Sequence, residues 1–115
     1  WLSRGFLAGL EILGVQAQIA PAGSDHLQTR NCFETATRAD FVVDGRKLIG
    51  AAQRRFGGAI LQHGSLLLDV DEDAWQKTVG SSANVVTLKQ LGVHASTQNI
   101  VEALCRGCEN AWNIE

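Results

Sequence analysis

Cys32 is the first residue in this chain suited to covalent chemistry, because a thiolate is a strong nucleophile once its pKa is lowered. It stands where a polar loop, residues 20 to 31, meets a strand, a common address for functional residues. A free cysteine also packs like a small hydrophobe, so residue type alone leaves both readings open. Lys47 is the second. It follows Asp44-Gly45 and opens the almost wholly apolar run Leu48-Ile49-Gly50-Ala51-Ala52. A lysine there is either a solvated charge or one positive charge aimed into a narrow pocket. In a pocket it can stabilise an oxyanion on an acyl carbonyl and lower the pKa of a nearby thiol. The small residues Gly50, Ala51 and Ala52 leave room beside the backbone. That room suits a tightly packed helix or a straight acyl chain, and the two uses are compatible. His63-Gly64 is expected to break a later strand, with His63 either a satisfied buried side chain or part of a pocket. Arg54-Arg55 reads as a solvated face or as a contact for an acidic surface or a phosphate.

Other candidates carry less. Cys105-x-x-Cys108 lacks the second ligand pair of a zinc site. It also falls late in a predicted helix, whereas a thioredoxin-like motif opens one. Packing is its expected role. His26 is a lone loop histidine, and Asp69-Val70-Asp71-Glu72-Asp73 lacks the glycine and distal glutamate of a calcium loop. No metal site is expected.

These residues need a scaffold to hold them. Asp44-Gly45 is a strong hairpin signal, since a type I′ turn needs positive φ at both central residues. The run Ala39-Asp40-Phe41-Val42-Val43 precedes it. Gly57-Gly58 leads into a third run, Ala59 to Leu68, which predicts a three-strand meander. Upstream, Leu2, Phe6, Leu10 and Leu13 recur at helical spacing, and Gly14 is placed to end that helix. Val15, Ala17 and Ile19 alternate with glutamines as in a half-exposed strand. Asp71, Glu72 and Asp73 favour the start of a short helix through its dipole, with Ala74, Trp75 and Val79 as its buried side. Gly80-Ser81-Ser82 is a break. Thr87 can cap a turn closed by Gly92, and Ser96 can cap a last helix with the stripe Ile100, Val101, Leu104, Cys108 and Trp112. The expected class is α/β in the α+β sense, a mostly antiparallel sheet packed with helices.

With 115 residues, the chain holds one domain with one core, residues 1–115. A net charge of −2 offers no basic footprint for nucleic acid or an anionic membrane. No apolar run approaches the roughly 20 residues that span a bilayer. Three cysteines at irregular spacing argue against a disulfide-built secreted module and favour a reducing cytoplasm.

Asn31-Cys32-Phe33, then ADFVVDGRKLIGAAQRR, then ILQHGSLLLDVDED, together resemble the lipoate–protein ligase A family. More narrowly, they resemble its octanoyltransferase branch that works through a cysteine. The resemblance implies the biotin/lipoyl-ligase catalytic fold. The family's upstream Arg-Arg-x-x-Gly-Gly-Gly stretch does not occur, and Trp1 has no cap before its helix. The expectation is therefore the later half of the domain, lacking its N-terminal half. The resemblance places Cys32 at the acyl-accepting cysteine and Lys47 against the acyl carbonyl, with His63 and Gly64 beside the acyl site. The family often has Pro-Ser after the cysteine, where Thr35-Ala36-Thr37 stands here. The implied activity is transfer of an octanoyl or lipoyl group from acyl carrier protein to the lysine of a lipoyl-domain or glycine cleavage H protein, with no cofactor. The alternatives are an ATP- and Mg-dependent lipoate–protein ligase and a non-catalytic carrier-binding relative.

Overall fold

Two dipeptides set the sheet. Asp44 and Gly45 have φ of 49° and 75°, and Gly57 and Gly58 have φ of 53° and 82°. Positive φ at both central residues is the type I′ hairpin turn, whose twist matches that of the strands it joins. In the computed structural model, which describes residues 2–21, 40–80 and 84–114, these turns link β2 (Phe41–Val43) to β3 (Arg46–Phe56) and β3 to β4 (Ala59–Leu66). The expected meander is present. A short β1 (Gln18–Ile19) extends it on the outer side of β2, giving the antiparallel order β1-β2-β3-β4. Trp1, the loop with His26, Cys32 and the Ser81-Ser82 break lie outside the described residues.

Two strand expectations need correction. The alternation from Val15 predicts a longer first strand, yet the Val15 N–H donates to Leu10 O at 2.9 Å and belongs to a helix cap. The His63-Gly64 step does not break β4, which runs unbroken through it. Gly64 is needed for a different reason: a Cβ there would lie 2.5 Å from Gly50 O. The glycine marks a close backbone approach, which strands use as well as interruptions.

The β2–β3 ladder contains a bulge. Val42 opposes Lys47, but Phe41 opposes Ile49, so Leu48 is one residue extra on β3. A bulge of this kind reverses the face on which later residues fall. Lys47 therefore shares a face with Val42, while Ile49 shares the opposite face with Phe41. Leu48 and Ile49 are both buried in one cluster with Leu10, Val15, Phe41, Val43, Val86, Leu88 and Ile100. Phe6 meets Phe41 edge to face at 5.8 Å, an arrangement favoured by the ring quadrupoles.

α1 (Ser3–Ile12) and α3 (Thr97–Trp112) cover that second face. α1 ends as its sequence predicts: Gly14 at φ 82° follows the last turn. Its N–H donates to Glu11 O at 2.9 Å, and with the Val15 bond this forms a Schellman cap. α2 (Glu72–Thr78) starts at Asp71, whose carboxylate accepts from the Ala74 N–H at 3.0 Å. Trp75 and Val79 are half-buried there, but Ala74 is exposed. Thr87 and Gln90 cap each other's backbone N–H groups, the reciprocal capping box. α3 (Thr97–Trp112) starts at Ser96, whose hydroxyl accepts from the Asn99 N–H at 3.2 Å.

The predicted stripe of α3 is only partly right. Val101 is exposed, and the buried positions are Ile100, Ala103 and Gly107. Small residues matter more than large ones here, because α1 and α3 approach backbone to backbone. A Cβ on Gly5 would sit 2.8 Å from Cys108 Sγ, and one on Gly9 would sit 2.7 Å from Leu104 Cα. A Cβ on Gly107 would collide with the Gly9 nitrogen and the Gly5 carbonyl oxygen. Counting large apolar side chains hides such a seam.

The seam sets two effects against each other in Gly107→Ala. Alanine gains about 1 kcal/mol of helix propensity over glycine. Forcing a methyl into a filled backbone contact costs typically about 1–3 kcal/mol. We expect net destabilisation, read as a lower urea midpoint followed by far-UV circular dichroism. A midpoint equal to or above that of the parent protein would mean that the helices are not in contact at Gly107.

Candidate functional site

The site begins with a charge in the wrong solvent. Lys47 is 4% exposed and Asp40 2% exposed. The Lys47 Nζ lies 3.0 Å from Asp40 Oδ2. The other carboxylate oxygen, Oδ1, accepts the Ala51 N–H at 2.8 Å. The backbone of Lys47 is fixed on both sides. Val42 opposes it across the hairpin, and Val85 opposes it from a parallel bridge. Its N–H donates to Asn84 O at 2.8 Å, and its carbonyl accepts from the Val86 N–H at 2.9 Å. A lysine expected at a pocket mouth is thus held inside a buried ion pair. Taking both ions out of water costs several kcal/mol each, which their attraction repays only with good geometry and further hydrogen bonds.

The strand register sorts the other predicted residues. Gly50 opposes Ser65, and Ala52 opposes His63. Alternation from Ile49 puts these four on the face that carries Lys47. The packing agrees, since the nearest atom to a Cβ built on Gly50 is Lys47 Cδ at 3.9 Å. Ala51 and Gly64, directly opposed, fall on the helix-covered face with Ile49 and Leu66. The expected slot of three small residues is therefore split, with Gly50 and Ala52 on one face and Ala51 on the other.

An apolar cavity of about 150 Å³ opens on the helix-covered face. Phe6, Phe41, Ile49, Ala51, Leu66 and Leu104 form its walls, with Gln62, His63 and Gly64 at one side. His63 borders it although its register position is on the other face. Lys47 is not among its lining residues. Cys32 lies outside the described residues.

Beyond Ala51 the β3–β4 hairpin is exposed on both faces. Arg54 and Arg55 are exposed there, as a solvated pair would be. Phe56 is 79% exposed, and Ile60 and Leu61 are exposed beside it. Cys105 and Cys108 are free thiols, Cys105 exposed and Cys108 half-buried against α1. Burial pushes the Cys108 thiol up, with smaller contributions from Cys105 and Glu109. For Cys108 this is the opposite of the lowered pKa that a metal-binding or catalytic thiol needs. Among the described residues, no group of three His, Cys, Asp or Glu side chains is arranged to hold a metal ion. No helix among them is long and apolar enough to cross a membrane.

Asp40 is the residue that sequence reasoning missed. A signal was available: with a two-residue turn at Asp44-Gly45, Lys47 opposes Val42, and Asp40 lies two positions further along the same face. An acid opening an apolar strand, diagonal to a lysine opening the next, is a cross-strand pair.

The model of the lipoyl protein ligase A/B catalytic domain matches residues 2–111. Octanoyltransferase LipM of Brevibacillus brevis is 38% identical over 135 aligned positions, which cover 99% of this chain and 49% of the relative. Among solved structures, a lipoate-protein ligase A bound with ATP superposes with a TM-score of 0.79 at 23% identity, covering 99% of this chain and 44% of that one. A bi-partite lipoate protein ligase from Thermoplasma acidophilum, solved in a study of it and its E2 lipoyl domain, gives a TM-score of 0.69 at 20% identity, covering 99% and 44%. The chain thus spans about half the length of the relatives it matches.

The buried pair predicts an asymmetry in stability. Lys47→Ala leaves a buried carboxylate without its cation and should cost about 3–5 kcal/mol. The neutral double replacement Asp40→Asn/Lys47→Met keeps an acceptor for the Ala51 N–H and should recover most of that loss. Urea unfolding of the three proteins reads the difference. A single mutant as stable as the parent would place the pair in solvent.

Proposed function

Because the chain belongs to the lipoyl protein ligase A/B catalytic domain family, we propose that it serves acyl transfer in protein lipoylation, moving an octanoyl or lipoyl group onto an acceptor lysine. The donor in this reading is an acyl carrier protein thioester. The acceptor is a lipoyl-domain or glycine cleavage H protein. The observation that carries the reading is the Lys47 ammonium, held by Asp40 on the sheet face that also carries Gly50 and Ala52. Small residues there leave a strip beside the charge on which a straight chain can lie.

The steps follow from residue chemistry. The Cys32 thiolate attacks the thioester carbonyl, and the oxygen takes up negative charge in the tetrahedral intermediate. The Lys47 ammonium stabilises that oxyanion. Collapse breaks the carbon–sulfur bond to the carrier, whose thiolate takes up a proton. The acceptor lysine, as a free amine, then attacks the acyl-enzyme. An amide forms, the amine loses a proton, and the Cys32 thiolate is released. Gly50 and Ala52, on the face of Lys47, are assigned to binding the chain, and Ala51, His63 and Gly64 are assigned to binding at the apolar cavity of the opposite face. No cofactor enters these steps, and a reducing cytoplasm, where Cys32 stays a thiol, is part of the same proposal.

A second reading is supported by the ATP-bound ligase, whose fold is similar. There the acyl group is first activated with ATP and Mg, and Cys32 has no covalent role. The two readings part on whether transfer needs ATP.

The exposed apolar tip of the β3–β4 hairpin supports a further part of the proposal. The remaining half of the domain covers Phe56, Ile60 and Leu61 and completes the acyl site.

Intact-mass measurement tests the transferase reading. After incubation with octanoyl–acyl carrier protein and no ATP, the intact protein should gain one octanoyl adduct, and Cys32→Ser should gain none. An adduct that persists on Cys32→Ser overturns the nucleophile, and a strict requirement for ATP favours the ligase. The 115 residues alone should form no adduct until the remaining half is supplied as a separate polypeptide. Full activity of the isolated chain would remove the need for that half.

A further inference from the structure

We propose that Asp40 is the positioning residue of Lys47, fixing where its ammonium stands rather than merely neutralising it. The proposal rests on the reading that Lys47 stabilises the acyl oxyanion.

The geometry gives Asp40 two jobs, one for each oxygen. Oδ1 takes the Ala51 N–H at 2.8 Å, and Oδ2 takes the Lys47 ammonium at 3.0 Å. The first bond ties the carboxylate to the backbone of β3 four residues beyond Lys47. The carboxylate plane is thereby fixed before it meets the lysine. A lysine stem has four rotatable bonds, and an ammonium is a point charge without directional preference of its own. Left alone it samples many positions, and an oxyanion donor is useful only when it already stands where charge will develop. Asp40 removes that freedom from one end, and the doubly bonded backbone of Lys47 removes it from the other.

The bulge makes the contact possible. Leu48 is the extra residue, so Lys47 and Gly50 come to one face although three positions apart. Asp40 lies on that face by alternation from Val42. Gly50 adds no side chain beside the lysine stem, with Lys47 Cδ 3.9 Å from where a Cβ would stand. The ammonium is thus anchored by the Asp40 carboxylate, and its stem passes Gly50.

Three variants of the intact protein test this, each compared in the rate and the half-saturating thioester concentration of Cys32 acylation. Asp40→Asn keeps an acceptor for the Ala51 N–H and loses the ionic anchor. Asp40→Glu keeps the charge but moves it by one methylene. Asp40→Asn/Lys47→Met removes both charges. Positioning predicts that Asp40→Asn loses rate about 10²-fold, the usual loss for one oxyanion donor, at unchanged half-saturation. The double variant should lose no more than that, because Asp40 acts only through Lys47. Asp40→Glu should fall clearly below the parent although its charge is retained. Rates are referred to the folded fraction from near-UV circular dichroism.

The outcomes separate the two ideas. If the double variant keeps the parent rate, Lys47 does not stabilise the oxyanion, and the reading beneath the proposal fails. If the double variant loses the rate while Asp40→Asn and Asp40→Glu keep it, Lys47 acts without Asp40, and the positioning proposal fails alone. If Asp40→Glu matches the parent and only Asp40→Asn is slow, Asp40 supplies charge balance and not position, which also overturns the proposal. If neither single variant folds, Asp40 is a folding residue and the proposal is overturned.

Discussion

A carboxylate and an ammonium held out of water constrain everything around them. Each is far more costly alone than together, so the backbone segments that bring them together cannot drift apart cheaply. Asp40 enters from the start of β2, Lys47 from β3, and the Ala51 N–H from further along β3. The parallel contact to residues 84–86 closes the arrangement from the other side. One ion pair thereby pins the hairpin, the register beyond the bulge and a distant segment to one another. The hydrophobic cluster fills the opposite face, but clustering is tolerant of small shifts, and a buried ion pair with directed hydrogen bonds is much less so.

The second constraint is apolar and lies between the helices. Gly5, Gly9 and Gly107 let the two backbones meet without intervening side chains. Close approach multiplies weak dispersion contacts, and it fixes how far α1 and α3 stand above the sheet. The cavity of about 150 Å³ between Phe6, Leu104 and the strands is the space left once that height is set. Helix packing therefore sets the size of the cavity.

Much of this was legible in the residues, for reasons that can be stated. Asp44-Gly45 and Gly57-Gly58 announce their turns because few residues tolerate positive φ. Gly14, Asp71, Thr87 and Ser96 announce helix and turn boundaries because orphan backbone groups need local partners. Those signals act over a few residues, and each was found. The burial of Lys47 was not, because it depends on Asp40 across a hairpin and on a parallel bridge nearly forty positions away. The bulge at Leu48 was not, because nothing in Arg-Lys-Leu-Ile-Gly marks which residue is extra. The glycines of α1 and α3 were passed over in favour of Leu, Val and Trp, since hydrophobic periodicity weighs bulk and this contact uses its absence. Of the candidate site, the residue types around Lys47 were readable, but their division between two faces was not. Cys32 remains an assignment by resemblance, outside the described residues.

The extra residue at Leu48 also bears on how this chain can change length. Upstream of it, the strand is in one phase with respect to its neighbour, and downstream it is in the other. Removing any single residue between Gly45 and Ile49 would cancel the offset and restore an unbroken alternation. Deleting Arg46 would bring Lys47 opposite Val43 and turn its charge toward Phe41 and the helices, whereas deleting Leu48 would leave Lys47 opposite Val42 on its present face. Substitutions in this short segment act one side chain at a time, but a deletion can change the face of a neighbouring residue, and its effect depends on which residue is lost. Which residue is lost, more than the loss itself, decides where the charge of Lys47 comes to stand.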